Sequence, residues 1–223
     1  MTRCSATNSC SAAARAYTSC ICRHRCATAK TSTSSAPPGP IGPVLDALRG
    51  VAQRLGLEVK NVVIGEHPKI AFRALSEDGL PLRLKIEFNT HETSPARPTV
   101  RVPFEVDSSW FAGGVDVLTF QAAELISTKL RALYQRKKGR DLFDLWLALN
   151  ELRLPPADIL ECFPPYRPEG YTAVAAIANL RSKTADRAFV EDLNQLVSAW
   201  PPAYSVQDAA DQVISELLTP LDG

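Results

Sequence analysis

The stretch between Leu118 and Trp146 constrains the fold of this chain more than any other part of the sequence. Its apolar residues recur at helical spacing on one face, and they are Ala122, Leu125, Ile126, Leu130 and Leu133. Gly139 interrupts the pattern, and a second amphipathic run follows it. We therefore predict one helix over residues 119–136, with Thr119 as its N-cap, and a second over residues 140–151.

The same stretch also concentrates charge where burial is expected. The charged residues are Lys129, Arg131, Arg136, Lys137, Lys138, Arg140, Asp141 and Asp144. Lys129 lies close to the apolar side, and Asp141 and Asp144 are about one helical turn apart, so their carboxylates point the same way. Two interpretations stay open: a solvated helical face, which charge runs usually are, or a site that holds and orients a polyanion.

The residues before this stretch indicate a helix followed by strands. An amphipathic pattern begins at Val44 and ends at Gly56, the expected position for a C-terminal glycine. Strand-like runs cover residues 57–64, 69–74 and 82–89, and the turn sequence Ser76-Glu77-Asp78-Gly79 predicts that the last two form a hairpin. Another extended segment, residues 99–105, precedes a predicted loop that contains Gly113 and Gly114.

The residues after Pro155 and Pro156 indicate helices. The predicted helical segments are 157–162, 171–181, 186–199 and 206–218. Strands early in the chain and helices late in it predict an α+β fold.

One strand-like run carries its own charge pattern. In Leu84–Asn89, the side chains of Lys85, Glu87 and Asn89 share one face of a strand, and the apolar ones share the other. The pattern is typical of a half-exposed strand with a solvated polar face. The alternative is a sheet face that carries a carboxylate into an active-site cleft.

The first 43 residues differ from everything that follows. They contain no Asp or Glu, are rich in Ala, Ser, Thr, Cys and Arg, and predict a disordered segment before a globular core over residues 44–118 and a helical part over residues 119–223. Cys20, Cys22, His24 and Cys26 are spaced by one residue, whereas zinc ligands are usually spaced by two to four, so an unstructured segment is favoured over a zinc site.

Charge and hydropathy limit the classes of partner. The net charge of +1 creates no global field, so contact with nucleic acid requires a local patch. No apolar run approaches the roughly 20 residues that span a bilayer, and no signal-peptide pattern occurs. We expect a cytoplasmic protein without a membrane partner.

The segment "LTFQAAELISTKLRALYQRKKGRDLFDLWLAL" resembles the AbiEii family of nucleotidyltransferase toxins from type IV toxin–antitoxin systems, including the mycobacterial MenT members. The strand "LRLKIEFNTHE" resembles the preceding motif of the same family. The resemblance implies a DNA polymerase β-like core with a mixed sheet, followed by a C-terminal helical subdomain. It further implies transfer of a nucleoside monophosphate from an NTP to RNA, expected to be a tRNA 3′ end. Mg²⁺ or Mn²⁺ is the expected cofactor, and an antitoxin is the expected partner.

The resemblance also implies roles for individual residues. Lys129 would contact the nucleotide phosphates, Asp144 would be a catalytic acid on a helix, and Glu87 would be a catalytic carboxylate and metal ligand. The implied phosphate-binding residues are Lys85, Arg131 and Arg140. Asp141 would be structural or catalytic.

One expected motif is missing from the sequence. The family's first motif, a Gly-Gly-Ser/Thr turn followed by a Ser-Glu-Asp-X-Asp strand, would supply two metal ligands, but residues 1–43 contain no acid. If the coding sequence is read two nucleotides further on, Ser11–Arg15 can decode as Gly-Gly-Gly-Thr. Cys26–Gly39 can then decode as Arg-Asp-Ser-Glu-Asp-Ile-Asp-Leu-Val-Arg-Thr-Thr-Gly. We therefore hypothesise a frameshift.

Three functions follow as alternatives. The first is a nucleotidyltransferase toxin that blocks translation. The second is a catalytically inactive relative that binds only antitoxin or RNA. The third is an unrelated α+β scaffold whose charged segment is a solvated face.

Overall fold

The computed structural model describes residues 32–35, 40–66, 68–89, 94–107, 112–194 and 201–222. The chain forms two compact units, which we call the sheet unit (the described residues between 25 and 94) and the helical unit (the described residues between 95 and 223). The sequence prediction had placed the domain boundary later, between residues 118 and 119. The predicted cysteine–histidine cluster lies outside the described residues.

The sheet unit contains one helix and a four-stranded mixed sheet. Its elements are β1 (Ser32–Ser35), α1 (Gly42–Arg54), β2 (Glu58–Val63), β3 (Lys69–Leu75) and β4 (Pro81–Asn89). The strand order is β1-β4-β3-β2, with β1 parallel to β4 and the other neighbours antiparallel. The predicted hairpin is confirmed: the amide of Gly79, which has a φ of 75°, donates to the carbonyl of Ser76 at 2.9 Å.

Helix α1 packs against one face of this sheet. The buried core residues of the unit are Leu45, Ala52, Ile70, Phe72 and Phe88. Gly56, with a φ of 67°, follows the helix, and the amide of Leu57 donates to the carbonyl of Ala52 at 2.8 Å, as the sequence predicts for a C-terminal glycine. Because side chains alternate along a strand, the other face of β3 and β4 carries the polar residues.

The structure differs from the sequence prediction within residues 1–43. Ser32–Ser35 form strand β1, and α1 begins at Gly42, although disorder was predicted for both places. The backbone of β1 pairs with β4, with Thr33 opposite Glu87 in the register. Such pairing is set by the neighbouring strand rather than by local composition, which explains why the local pattern did not indicate it.

The helical unit begins with an antiparallel hairpin and continues as packed helices. Its elements are β5 (Val100–Asp107), β6 (Ala112–Thr119), α2 (Ala122–Gln135), α3 (Gly139–Asn150), α4 (Pro156–Glu161), a 3₁₀ turn (Pro164–Tyr166), α5 (Ala173–Thr184), α6 (Arg187–Val190), α7 (Val206–Val213), a π-helical turn (Ile214–Leu218) and a final 3₁₀ turn (Thr219–Asp222). Its core is centred on α2 and α3, which bury Ile126, Leu130, Leu142 and Leu145.

Two predicted features at the start of this unit were wrong in detail. Gly113 and Gly114 lie in strand β6 rather than in a loop, because their backbones pair with Val106 and Glu105. Thr119 is the last residue of β6, so it does not cap α2, whose N-cap position is held by Gln121.

The predicted helix over residues 186–199 was also too long. Its regular part is short, Arg187–Val190, and turns continue to Asn194. Asp186 caps it by accepting from the amides of Ala188 and Phe189. Residues 195–200 lie outside the described part.

The predicted α+β class is confirmed, and the polymerase-like arrangement of the core stays a prediction. In the part of the chain that the structure describes, every helix is too short or too polar to cross a membrane.

Candidate active site

The junction between α2 and α3 brings together a lysine and two carboxylates. The Nζ atom of Lys129 lies 2.7 Å from Oδ2 of Asp144 and 3.8 Å from Oδ1 of Asp141. The side chain of Lys129 is 23% exposed and that of Asp144 is 13% exposed, so the pair borders on solvent. Three of the residues that the sequence singled out therefore lie together.

The surroundings of Asp144 disfavour the ionised form of its carboxyl group. Burial raises the pKa of Asp144, and the attraction and hydrogen bond of Lys129 lower it by less. The neighbouring carboxylate of Asp141 raises it further. A buried carboxyl group with a raised pKa, paired with a partly exposed lysine side chain, is a candidate for a functional site.

Asp141 is the fully buried member of the group and is bound by a second cation. The guanidinium of Arg136 contacts both carboxylate oxygens, at 2.6 and 2.7 Å. This hydrogen bonding to Asp141 raises the pKa of Arg136. Asp141 therefore joins the end of α2 to the start of α3 and adds negative charge beside Lys129.

A buried lysine from another helix fixes the same junction. Lys183 of α5 donates to the carbonyls of Leu133, Tyr134 and Arg136 at the C-terminal end of α2. Burial lowers the pKa of Lys183. Sequence reasoning missed this residue, although its position, three residues after Leu180, continues the buried face of α5.

The basic residues of the turn are paired within the helical unit. Lys137 contacts Asp186, and Nζ of Lys138 lies 3.4 Å from Asp192. The guanidinium Nε of Arg140 lies 3.2 Å from the same carboxylate. The structure thus gives this charge run a role in the fold, and phosphate binding by Arg140 stays a prediction.

Gly139 lets this turn approach the segment that carries Asp186 and Asp192. A Cβ atom at position 139 would lie 2.3 Å from the carbonyl oxygen of Phe189. No real contact is that short, so the position requires glycine as long as the backbones stay in place.

Arg131 belongs to a second network on α2. Its guanidinium carbon lies 6.0 Å from the ring centre of Tyr166, whose hydroxyl donates to Glu124 at 2.5 Å. The buried carboxylate of Glu124 also accepts from the amides of Ala96 and Arg97. The network anchors the segment that leads into β5, a role that sequence reasoning missed; phosphate binding by Arg131 stays a prediction.

The remaining predicted residues lie in the sheet unit. Nζ of Lys85 lies 2.7 Å from Oε1 of Glu87, and both side chains are partly exposed on the polar face of β4. In the register, Glu87 has Lys69 of β3 on one side and Thr33 of β1 on the other. The structure therefore brings Lys85 and Glu87 together.

The described carboxylates do not assemble a metal site. No group of three or more His, Cys, Asp or Glu side chains able to hold a metal ion occurs among the described residues. Glu87 and Asp144 each face a lysine instead. The donor set that a divalent cation requires is not present in this part of the chain.

Comparison with known proteins agrees with the resemblance seen in the sequence. A family model described as "Nucleotidyl transferase AbiEii toxin, Type IV TA system" matches residues 31–212, most of the chain. No curated protein matches the chain significantly.

Proposed function

The chain belongs to the AbiEii family of nucleotidyltransferase toxins from type IV toxin–antitoxin systems, and from that premise we propose that it transfers a nucleoside monophosphate from an NTP to an RNA acceptor. Enzymes of this class use an NTP and a divalent metal, and a toxin of this type implies an antitoxin as partner. The acceptor that we favour is a tRNA 3′ end, whose modification would block translation in the cytoplasm. The narrower likeness to the MenT members rests on the α2–α3 segment.

The observation that carries this proposal is the pair formed by Lys129 and Asp144. The ammonium of Lys129 lies 2.7 Å from a carboxylate oxygen of Asp144, and the lysine side chain as a whole is 23% exposed. A cation fixed in this way can bind a triphosphate and stabilise the negative charge that builds on the departing pyrophosphate. Asp144 holds Lys129 in position and limits its motion before the substrate arrives.

The other assigned residues are part of the proposal. Glu87 would act as a catalytic carboxylate, and Lys85, Arg131 and Arg140 would bind phosphate groups. Mg²⁺ or Mn²⁺ would serve as the cofactor, but the described residues do not fit a complete metal site, so we derive no step through the ion.

Transfer of label tests the proposal. The chain is incubated with α-labelled NTPs, Mg²⁺ or Mn²⁺ and total tRNA, and label in RNA is measured. We expect transfer, and we expect Lys129→Ala and Asp144→Ala each to reduce it by about 100-fold or more, as losses of positioned charged groups do. Arg187→Ala is the control, because Arg187 is an exposed surface residue whose ion-pair partner among the described residues is nearby Glu191. Transfer that survives both site variants would contradict the proposal.

A second candidate function is favoured by the acid-free segment. Residues 1–43 contain no Asp or Glu, and strand β1, which neighbours Glu87, consists of Ser-Thr-Ser-Ser. A chain without further carboxylates would bind antitoxin or RNA and transfer nothing. A chain that binds RNA in a separate binding assay, but transfers no label in the assay above, would support this candidate over the first.

The register of β1 supports the frameshift hypothesis. In the shifted reading, the second Asp of Asp-Ile-Asp is encoded by the last nucleotide of codon 32 and the first two of codon 33. That acid falls on the strand whose residue Thr33 is opposite Glu87. Sequencing the DNA that encodes residues 1–43 tests the hypothesis, and peptides of the present sequence detected by mass spectrometry in the native host would rule out a sequencing error.

A further inference from the structure

One face of the four-stranded sheet carries a row of cations. The register places Lys69 opposite Glu87, Ala71 opposite Lys85 and Arg73 opposite Arg83. These positions alternate with the core residues Ile70 and Phe72, so they lie on the face opposite α1. We call this face, defined by Lys69, Arg73, Arg83 and Lys85, the basic sheet face.

The opposition of Arg73 and Arg83 is costly for the fold. Directly opposite side chains have Cβ atoms about 5 Å apart, and like charges there are destabilising. Arg73 is paired with Glu58 of β2 at 2.7 Å, whereas among the described residues Arg83 has no ion-pair partner. A local conflict of this kind is expected where a surface serves a function rather than the fold.

The positive charge is concentrated on this face and is not a property of the whole chain. Four cations face two carboxylates, Glu58 and Glu87, whereas the whole chain has a net charge of only +1. The arginine pair adds planar donor groups, which bind phosphate in a bidentate manner. Since same-face residues recur about every 7 Å along a strand, the cations form a line rather than a single pocket.

We propose that the basic sheet face binds the backbone of a single-stranded RNA, the acceptor strand of the proposed reaction. A line of cations on two neighbouring strands suits a chain of phosphates better than the convergent phosphates of one NTP. Phosphate contacts fix the position of a nucleic acid without reading its sequence, so this face contributes affinity and not base specificity. The inference rests on the proposed function for the identity of the RNA.

The test is RNA binding without NTP. Anisotropy of a fluorescein-labelled, single-stranded RNA oligonucleotide is measured against protein concentration over a series of KCl concentrations. The variants are Arg83→Gln and the double variant Arg73→Gln/Arg83→Gln. Arg49→Gln is the matched control, because Arg49 lies on α1 in the same unit and makes a surface pair with Asp46.

We expect Arg83→Gln to weaken RNA binding several-fold and to reduce the slope of log affinity against log salt by about 0.7, the value for one phosphate contact on a single strand. The double variant should lose about twice that slope, and Arg49→Gln should lose none. Arg83→Lys, which keeps the charge and loses the planar fork, should fall between the parent chain and Arg83→Gln.

Equal affinities and slopes for Arg83→Gln and Arg49→Gln would overturn the inference. Competition by polyglutamate as strong as by unlabelled RNA, compared at equal charge, would also overturn it in favour of an acidic protein partner. Thermal unfolding checks the variants, since removal of a like-charge contact should leave the melting temperature unchanged or higher. Because binding requires no chemistry, salt-sensitive RNA binding without label transfer would contradict the proposed function alone.

Discussion

At the scale of single residues, Asp144 is a carboxyl group whose ionisation the folded structure disfavours. Burial raises its pKa, so ionising Asp144 is less favourable in the folded protein than in the unfolded chain. Residues that serve activity at the expense of stability are expected at functional sites. Asp144 differs in this respect from Asp141, whose two carboxylate oxygens both accept hydrogen bonds from Arg136.

We predict that Asp144→Asn leaves the protein as stable as the parent or more stable at pH 7, while transfer is lost. The raised pKa means that the folded parent binds its proton more tightly than the unfolded chain does. The free energy of unfolding of the parent chain therefore increases as the pH falls through the folded pKa of Asp144. The difference in the free energy of unfolding between the parent chain and Asp144→Asn should then become smaller. Urea unfolding at pH 7 and at acidic pH measures this. If Asp144→Asn is strongly destabilised, the role of Asp144 is to stabilise the fold.

The contact between Arg136 and Asp141 predicts that removing Arg136 destabilises the protein more than neutralising Asp141 does. Arg136→Ala removes the two short contacts to the buried carboxylate of Asp141 and leaves the ammonium of Lys129, 3.8 Å away, as its ion-pair partner among the described residues. Breaking a buried pair in this way costs about 3–5 kcal/mol. Because Arg136 is 53% exposed, the cost should fall toward the lower end. Asp141→Asn should cost less, about 1–3 kcal/mol, since Arg136 can turn into water. Chemical denaturation measures the free energy of unfolding of both variants. A larger loss of stability for Asp141→Asn than for Arg136→Ala would contradict this prediction.

At the scale of secondary-structure elements, the turn between α2 and α3 decides the geometry of the candidate site. Gly139 permits the close approach to Phe189, while Lys183 holds the carbonyls at the end of α2. The carboxylates of Asp186 and Asp192 then pair with the cations of the turn. The distance between Lys129 and Asp144 thus depends on groups from α5 and from the segment around α6.

Gly139→Ala should therefore destabilise the helical unit by about 1–3 kcal/mol, the usual cost of inserting a methyl group into packed structure. Gly50→Ala provides the matched control in α1, where the nearest atom to a new Cβ would be 3.9 Å away. That change should stabilise the helix by about 1 kcal/mol. The two melting temperatures should move in opposite directions. A Gly139→Ala protein as stable as its parent would show that the turn has room to relax.

Elements with strong local patterns were predictable, and elements defined by distant partners were not. The periodicity of α1, α2 and α3 and the turn at Gly79 sufficed to place those elements and the first hairpin. β6 was missed because Gly113 and Gly114 are typical of loops. β1 was missed because its strand conformation depends on pairing with β4, which its own sequence does not indicate. For the site, residue spacing indicated that Asp141 and Asp144 share a face, but the buried cation Lys183 is 47 to 50 residues away in sequence from the carbonyls that it binds.

At the scale of the whole molecule, the account depends on what the first residues of the chain contribute. The family match begins at residue 31, close to β1, and the present sequence has no carboxylate before Asp46. If the frameshift hypothesis is right, a gene recoded to the shifted frame over residues 11–39 should give a protein that transfers label faster than the present chain. Equal rates from the two proteins in the label-transfer assay would reject the hypothesis.

The affinity for NTP, measured by titration calorimetry without RNA, tests the role of Lys129 most directly, because binding does not require a complete metal site. The parent chain should bind NTP, and Lys129→Ala should weaken binding by about tenfold or more, the value of one charge-assisted hydrogen bond. Asp144→Asn should bind NTP as tightly as the parent or more tightly, since it removes a carboxylate that competes with the phosphates for Lys129, and Arg187→Ala should match the parent. Equal NTP affinities for the parent chain and Lys129→Ala would show that this lysine does not hold the triphosphate.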